Sequence, residues 1–178
     1  MKIFIIGYMA AGKTTFGKSL ARKIDTTFVD LDQYIEEKEG KSITDIFKEK
    51  GEEAFRELER DMLRKVVEEQ PDAVIACGGG TPCFFDNMEF MNDQGVTVFL
   101  ETSIPVLISR LEEARESRPL MADKSDEEIR QTVLSQLCDR LPRYMEAKLK
   151  WNGDELDTLS QIEENVSGFV DSYPSVFR

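Results

Sequence analysis

At 178 residues the chain is long enough for one domain with a full core and short for two. A net charge of −12 disfavours a nucleic-acid partner, because phosphate backbones are held by excess Lys and Arg, and no apolar run is long enough to span a bilayer. Histidine is absent, so a general base has to be a carboxylate, a lysine or a water.

The first element expected is a strand, Ile3-Phe4-Ile5-Ile6, whose continuous apolar run suits a parallel strand covered on both faces. It leads into Gly7-Tyr8-Met9-Ala10-Ala11-Gly12-Lys13-Thr14, the GxxxxGK[ST] pattern, and then into a helix with Phe16, Leu20, Ala21 and Ile24 at helical spacing. Strand, glycine loop and helix in that order form a phosphate cradle. The amides of Ala10, Ala11, Gly12, Lys13, Thr14 and Thr15 would face a polyphosphate, with the helix dipole behind them. Lys13 would reach the β- and γ-phosphates and the Thr14 hydroxyl would sit on a bridging Mg2+. An N-terminal apolar run that enters such a loop is not a secretion signal, and cytoplasmic residence is expected. Cys77, Cys83 and Cys138 are too irregularly spaced for a disulfide framework or a metal site and read as reduced thiols.

Residues Thr27 to Asp32 read as the second strand, ending in two carboxylates that alternation puts on one face. In a parallel sheet the ligand edge is the carboxyl end of the strands, so Asp30 and Asp32 face the cradle. One would serve the magnesium shell and the other accept a proton from a hydroxyl. Asp32 is also placed to cap the helix that follows.

From Tyr34 to Glu69 the pattern is helical, broken at Gly40 and Gly51, with Ser42 and Asp45 resembling a capping box. Such helices between two strands make a small subdomain able to cover a second substrate. Within it, Arg56 and Glu59 are either a surface i, i+3 pair or an arginine oriented to fork onto a carboxylate. The third strand, Ala73 to Cys77, runs into Gly78-Gly79-Gly80, three residues that suggest a close approach to the backbone.

The fourth strand is Val96 to Leu100, followed by a helix from Pro105 to Ala114 that carries Arg110. The charged stretch 112–126, with Arg115 and Arg118, is a solvated surface loop or a lid that brings an arginine to transferring phosphates. Ile129, Val133, Leu137 and Leu141 then mark a core-facing helix bearing Arg140 and Tyr144. A weak fifth strand at Leu149 to Trp151 and a helix from Glu155 to Val170 follow, with Leu156, Leu159, Ile162, Val166 and Phe169 on one packing face, and the tail from Ser172 is expected to fray.

The loop from Gly7 to Thr14, the Asp30-x-Asp32 pair, Gly40-x-Ser42-Ile43 with Ile46-Phe47, Gly51-Glu52 with Phe55-Arg56 and Glu59, and Gly78-Gly79-Gly80 together resemble shikimate kinase, as do Arg118-Pro119-Leu120 and Arg140-x-x-x-Tyr144. The resemblance implies a three-layer α/β P-loop fold of five parallel strands. Residues 1–178 would form one kinase domain, with a substrate-binding helical insertion at 34–69 and a lid at 112–126. It implies transfer of the γ-phosphoryl group of ATP to the 3-hydroxyl of shikimate, a step of aromatic amino-acid biosynthesis, with Mg2+ as cofactor, ATP and shikimate as small-molecule partners, no nucleic-acid or membrane partner, and a monomeric state. Asp32, Lys13 and Arg118 would be catalytic. The nucleotide would be held by Ala10 to Thr15, Arg110 and Arg118, with Arg110 near the adenine, the metal by Thr14 and Asp30, and the acceptor by Asp32, Arg56, Gly79, Gly80 and Arg140. A gluconate or nucleoside monophosphate kinase, or a nucleotide-binding regulatory module, would share the loop without needing the set Asp32, Arg56 and Arg140. Three departures from the family pattern stand out: Ala10 occupies a position where glycine is common, Cys77 one where a small polar residue often precedes the three glycines, and no basic residue lies between Trp151 and Phe177 to cover the adenine.

Overall fold

The computed structural model describes residues 1–114 and 125–177, so Arg115, Arg118, Pro119, Leu120 and most of the expected lid lie outside the described residues. Five parallel strands, β1 (Lys2–Ile6), β2 (Thr27–Asp30), β3 (Ala73–Ala76), β4 (Val96–Glu101) and β5 (Leu149–Asn152), form one sheet in the order β2-β3-β1-β4-β5. β1 is central because its side chains are apolar on both sides: Ile3 and Ile5 point into one cluster, Phe4 and Ile6 into the other, and all are essentially buried. Helices α1 (Lys13–Lys23) and α7 (Leu159–Ser172) cover the first face through Phe16, Leu20, Val166 and Phe169. The other face is covered by α2 (Leu31–Glu39), α3 (Ile43–Glu69), α4 (Asn87–Gln94), α5 (Ile104–Glu113) and α6 (Asp126–Tyr144). The three-layer α/β architecture expected from the sequence is present.

The register places Ile5 of β1 beside Ala76 of β3 and Val98 of β4, and Asp30 of β2 beside Ala76. The carboxyl ends of these strands therefore share one edge. There the chain order reverses about β1, the crevice position at which open α/β sheets bind ligands.

Several local expectations change. The second strand stops at Asp30, and Leu31 begins α2. Asp30 is the N-cap, its Oδ1 accepting from the amides of Asp32 (3.2 Å) and Gln33 (3.4 Å). The capping role therefore falls to Asp30 and not Asp32, and the two carboxylates are not strand neighbours on one face. A capped helix start satisfies amides that a further strand residue would leave unpaired at the sheet edge.

The expected break at Gly51 is present as a non-helical kink in α3, with φ 80 and ψ 175, and Ser42 caps the helix start by accepting from the Asp45 amide, as expected. Helix α4 and the short 3₁₀ turn Thr81–Cys83 lack a strong apolar period and were not expected. Helix α7 starts at Leu159, later than its apolar spacing suggested; Leu159 is 79% exposed and Leu156 lies in the preceding loop. The tail does not fray as far as Phe177, whose ring packs 5.6 Å from Phe169.

Candidate active site

The loop after β1 reaches α1 through Ala10 at φ 63 and Gly12 at φ 95. Gly12 is the N-cap and has no side chain with which to occupy the first-turn amides of α1. They leave a ring of donors at a positive helix end, the arrangement an anion needs. The Lys13 ammonium curls back onto the carbonyl oxygens of Gly7 and Tyr8, each at 2.8 Å. Thr14 Oγ1 donates to Asp30 Oδ2 at 2.8 Å. Asp30 thus holds α2 with one oxygen and the Thr14 hydroxyl with the other.

A cleft of about 420 Å³ opens here, lined by Ala10, Gly12, Lys13, Thr14, Thr15, Asp30, Asp32, Gly78, Gly79 and Arg110. Asp32 stands in the first turn of α2. Its side chain meets the water in the cleft, yet the walls enclose it enough that burial pushes its carboxyl up to about 6. Asp30 and Glu59 add to the rise and Lys13 opposes it. A carboxyl poised in that range is ionised at neutral pH and is a better proton acceptor than an ordinary aspartate.

Arg56 and Arg140 do not line this cleft; both reach the glycine turn that bounds it. A Cβ on Gly80 would stand 2.6 to 2.8 Å from three atoms of the Arg56 guanidinium, so only glycine permits that approach. A Cβ on Gly79 would stand 3.4 Å from Arg140 Nη1. The pair Arg56 and Glu59 is not on the surface: they are 9% and 1% exposed, with Nη1 donating to Glu59 Oε2 at 3.0 Å. Glu59 also accepts from Thr81 Oγ1 at 2.7 Å, which fixes its carboxylate from both sides. Arg56 Nε is buried and has no hydrogen-bond partner among the described residues. A buried donor without an acceptor is costly, and a ligand carboxylate would supply one.

Arg110 lines the cleft and is tied to two of its loops. Its Nη1 donates to the carbonyls of Ala10 (3.5 Å), Ala11 (3.4 Å) and Gly153 (3.0 Å). Its Nη2 donates to the Asp154 carbonyl (2.8 Å) and to Asp157 Oδ1 (3.0 Å). It therefore ties the cradle to the loop after β5. In that loop, which carries no basic residue, Leu156 packs against Gly12, whose Cβ would meet Leu156 Cδ1 at 2.7 Å.

Sequence reasoning did not single out Tyr8 or Thr81 and gave Tyr144 no contact. Tyr144 is fully buried and donates its hydroxyl to the Gly79 carbonyl at 2.5 Å, while Tyr8 lies under the Arg140 guanidinium at 5.7 Å. The only sequence signal for Tyr144 was its place four residues after Arg140, one helical turn along.

Magnesium takes oxygen donors, keeps several waters and needs only one or two protein ligands beside substrate phosphates. The Thr14 hydroxyl with Asp30 beside it at the cradle mouth is such a donor set. Among the described residues no cluster of three or more acidic or thiol side chains offers a dedicated metal cage.

A family model described as Shikimate kinase matches residues 9–168. A curated shikimate kinase of Phocaeicola vulgatus is 52% identical over 165 residues, covering 93% of this chain and 94% of that protein. The crystal structure of shikimate kinase from Bacteroides thetaiotaomicron superposes with a TM-score of 0.90 at 45% identity over 98% of both chains. The solved structure of shikimate kinase from Acinetobacter baumannii in complex with shikimate gives 0.84 at 28% identity, over 98% of this chain and 93% of that one. With a family match that runs from inside the phosphate cradle into α7, and relatives that share about half their residues along nearly the whole length, the chain belongs to the shikimate kinase family.

Proposed function

We propose that this cleft transfers the γ-phosphoryl group of ATP to the 3-hydroxyl of shikimate by the following division of labour. The amides of Ala10 to Thr15 and the Lys13 ammonium hold the β- and γ-phosphates, and Arg110 fixes the wall beside them. Thr14, with Asp30, would hold Mg2+, which would supply positive charge against the phosphates. Asp32 takes the proton from the acceptor hydroxyl as that oxygen attacks phosphorus. Arg56 and Arg140 grip the acceptor carboxylate, and the Gly79 and Gly80 backbone completes its pocket. Arg118, in the segment proposed as a lid, supplies charge to the transferring group. In-line phosphoryl transfer asks little of the protein beyond such positioning and charge.

The observation that carries this reading is Asp32, enclosed beside Lys13 at the cradle and pushed up to about 6, with two arginines reaching the adjoining glycine turn. One carboxylate and three hydroxyls on the acceptor match two arginines, one aspartate and exposed backbone. Insertion 34–69, lid 112–126, monomeric state and cytoplasmic residence belong to the same proposal. Among the described residues no helix is long and apolar enough to cross a membrane.

A coupled assay of ADP release with shikimate, gluconate and nucleoside monophosphates as acceptors tests the reading. Turnover is expected with shikimate and Mg2+ and not with the others; turnover confined to another acceptor overturns it.

A further inference from the structure

The guanidinium of Arg56 is held by more than its two carboxylates. Its Cζ lies 4.2 Å from the ring centroid of Phe84, 5.2 Å from Phe55 and 5.9 Å from Phe47. Phe55 and Phe47 also belong to the apolar core, while Phe84, only half-buried, joins neither core cluster. The chain turns sharply there: Phe85 sits at φ 52, a left-handed conformation unfavourable for so bulky a residue, and its own ring lies 4.9 Å from Arg60. That turn sends consecutive phenylalanines to two different arginines.

We propose that Phe84 is a positioning residue for the acceptor, acting through Arg56. This rests on the reading of Arg56 as the carboxylate grip. The face of the Phe84 ring meets the guanidinium, Gly80 lies against it, and Glu59 takes Nη1 at 3.0 Å. The remaining edge is Nε, which has no partner among the described residues, and Nη2, whose bond to the exposed Glu52 is 3.3 Å. An arginine edge of one Nε–H and one Nη–H is the side-on fork that takes both oxygens of a carboxylate. Ring and backbone hold the plane, and the buried acid fixes the rotation about it. Phe84 thus selects for a carboxylate that arrives in the plane, and keeps water from competing for the same donors.

The test compares shikimate with its methyl ester, which lacks the carboxylate, in unmodified protein, Phe84→Leu and Phe84→Tyr, with melting temperatures measured alongside. Leucine keeps apolar bulk and removes the π face; tyrosine keeps the face. Expected for Phe84→Leu is a rise of about fivefold to tenfold in KM for shikimate, within the range of a desolvated cation–π contact. The KM for the ester, the KM for ATP and kcat should stay within about twofold, and Phe84→Tyr should restore the shikimate value. An unchanged ratio of shikimate to ester KM in Phe84→Leu overturns the role of Phe84, as does a parallel change in all constants with a lowered melting temperature. Failure of the unmodified protein to discriminate between acid and ester overturns instead the reading of Arg56, and the role of Phe84 with it.

Discussion

Asp32 carries the largest consequence of any one side chain. Its folded-state carboxyl is raised from 3.8 to about 6, so the folded protein holds that proton more tightly than the unfolded chain does. Its contribution to stability is full below pH 3.8 and is lost as pH rises through about 6, the opposite of a salt-bridged aspartate. Asp32→Asn should therefore melt higher than the unmodified protein at pH 8, with the difference closing toward pH 4. The same variant should lose about 10²- to 10⁴-fold in kcat while its ATP affinity stays nearly constant, since a general base acts only as the proton moves. The acid limb of kcat/KM should fall near pH 6. A variant with unaltered kcat would remove Asp32 from the chemistry.

At the scale of elements, the kink of α3 decides how the acceptor side is built. Gly51 stands at φ 80 and ψ 175, a region nearly closed to other residues, and a Cβ there would meet nothing within 4 Å. Gly51→Ala therefore strains the backbone without crowding a neighbour, at a cost of about 1–3 kcal/mol. Arg56 and Glu59 lie on the half of α3 beyond the kink, so the expected outcome is a lowered melting temperature with a raised KM for shikimate and a steady KM for ATP. Gly51 was legible as a break, just as the cradle was, because both are written in a few adjacent residues. Asp30 and Asp32 were misread because a period of two was carried past a helix start that one capping contact determines. Leu156 and Leu159 fitted a helical face by spacing alone, yet the helix begins only at Leu159. Phe84 on Arg56 was beyond sequence reasoning for a different reason: the contact joins α3 to the turn after β3, and no local pattern encodes it.

For the molecule as a whole, a net charge of −12 on one sheet with two covering layers means the compact state works against its own repulsion. Salt should relieve it. With a Debye length of about 10 Å at 0.1 M, the melting temperature of the ligand-free protein should rise between about 20 mM and 300 mM sodium chloride. A fall over that range would mean that pairs such as Arg64 with Asp86 and Arg143 with Glu89 outweigh the repulsion.

The strand order also governs how the chain reaches this state. β1 is made first and lies in the middle, yet its neighbours are Ala73–Ala76 and Val96–Glu101. During synthesis its apolar residues, and the phosphate loop they support, have no sheet to join until far more of the chain has been made. Closing such separated parallel pairings is slow, and an unpaired apolar strand is open to aggregation meanwhile. The nucleotide grip, first in the sequence, is therefore completed late in folding, and ATP can stabilise the nascent protein only after β3 and β4 have flanked β1.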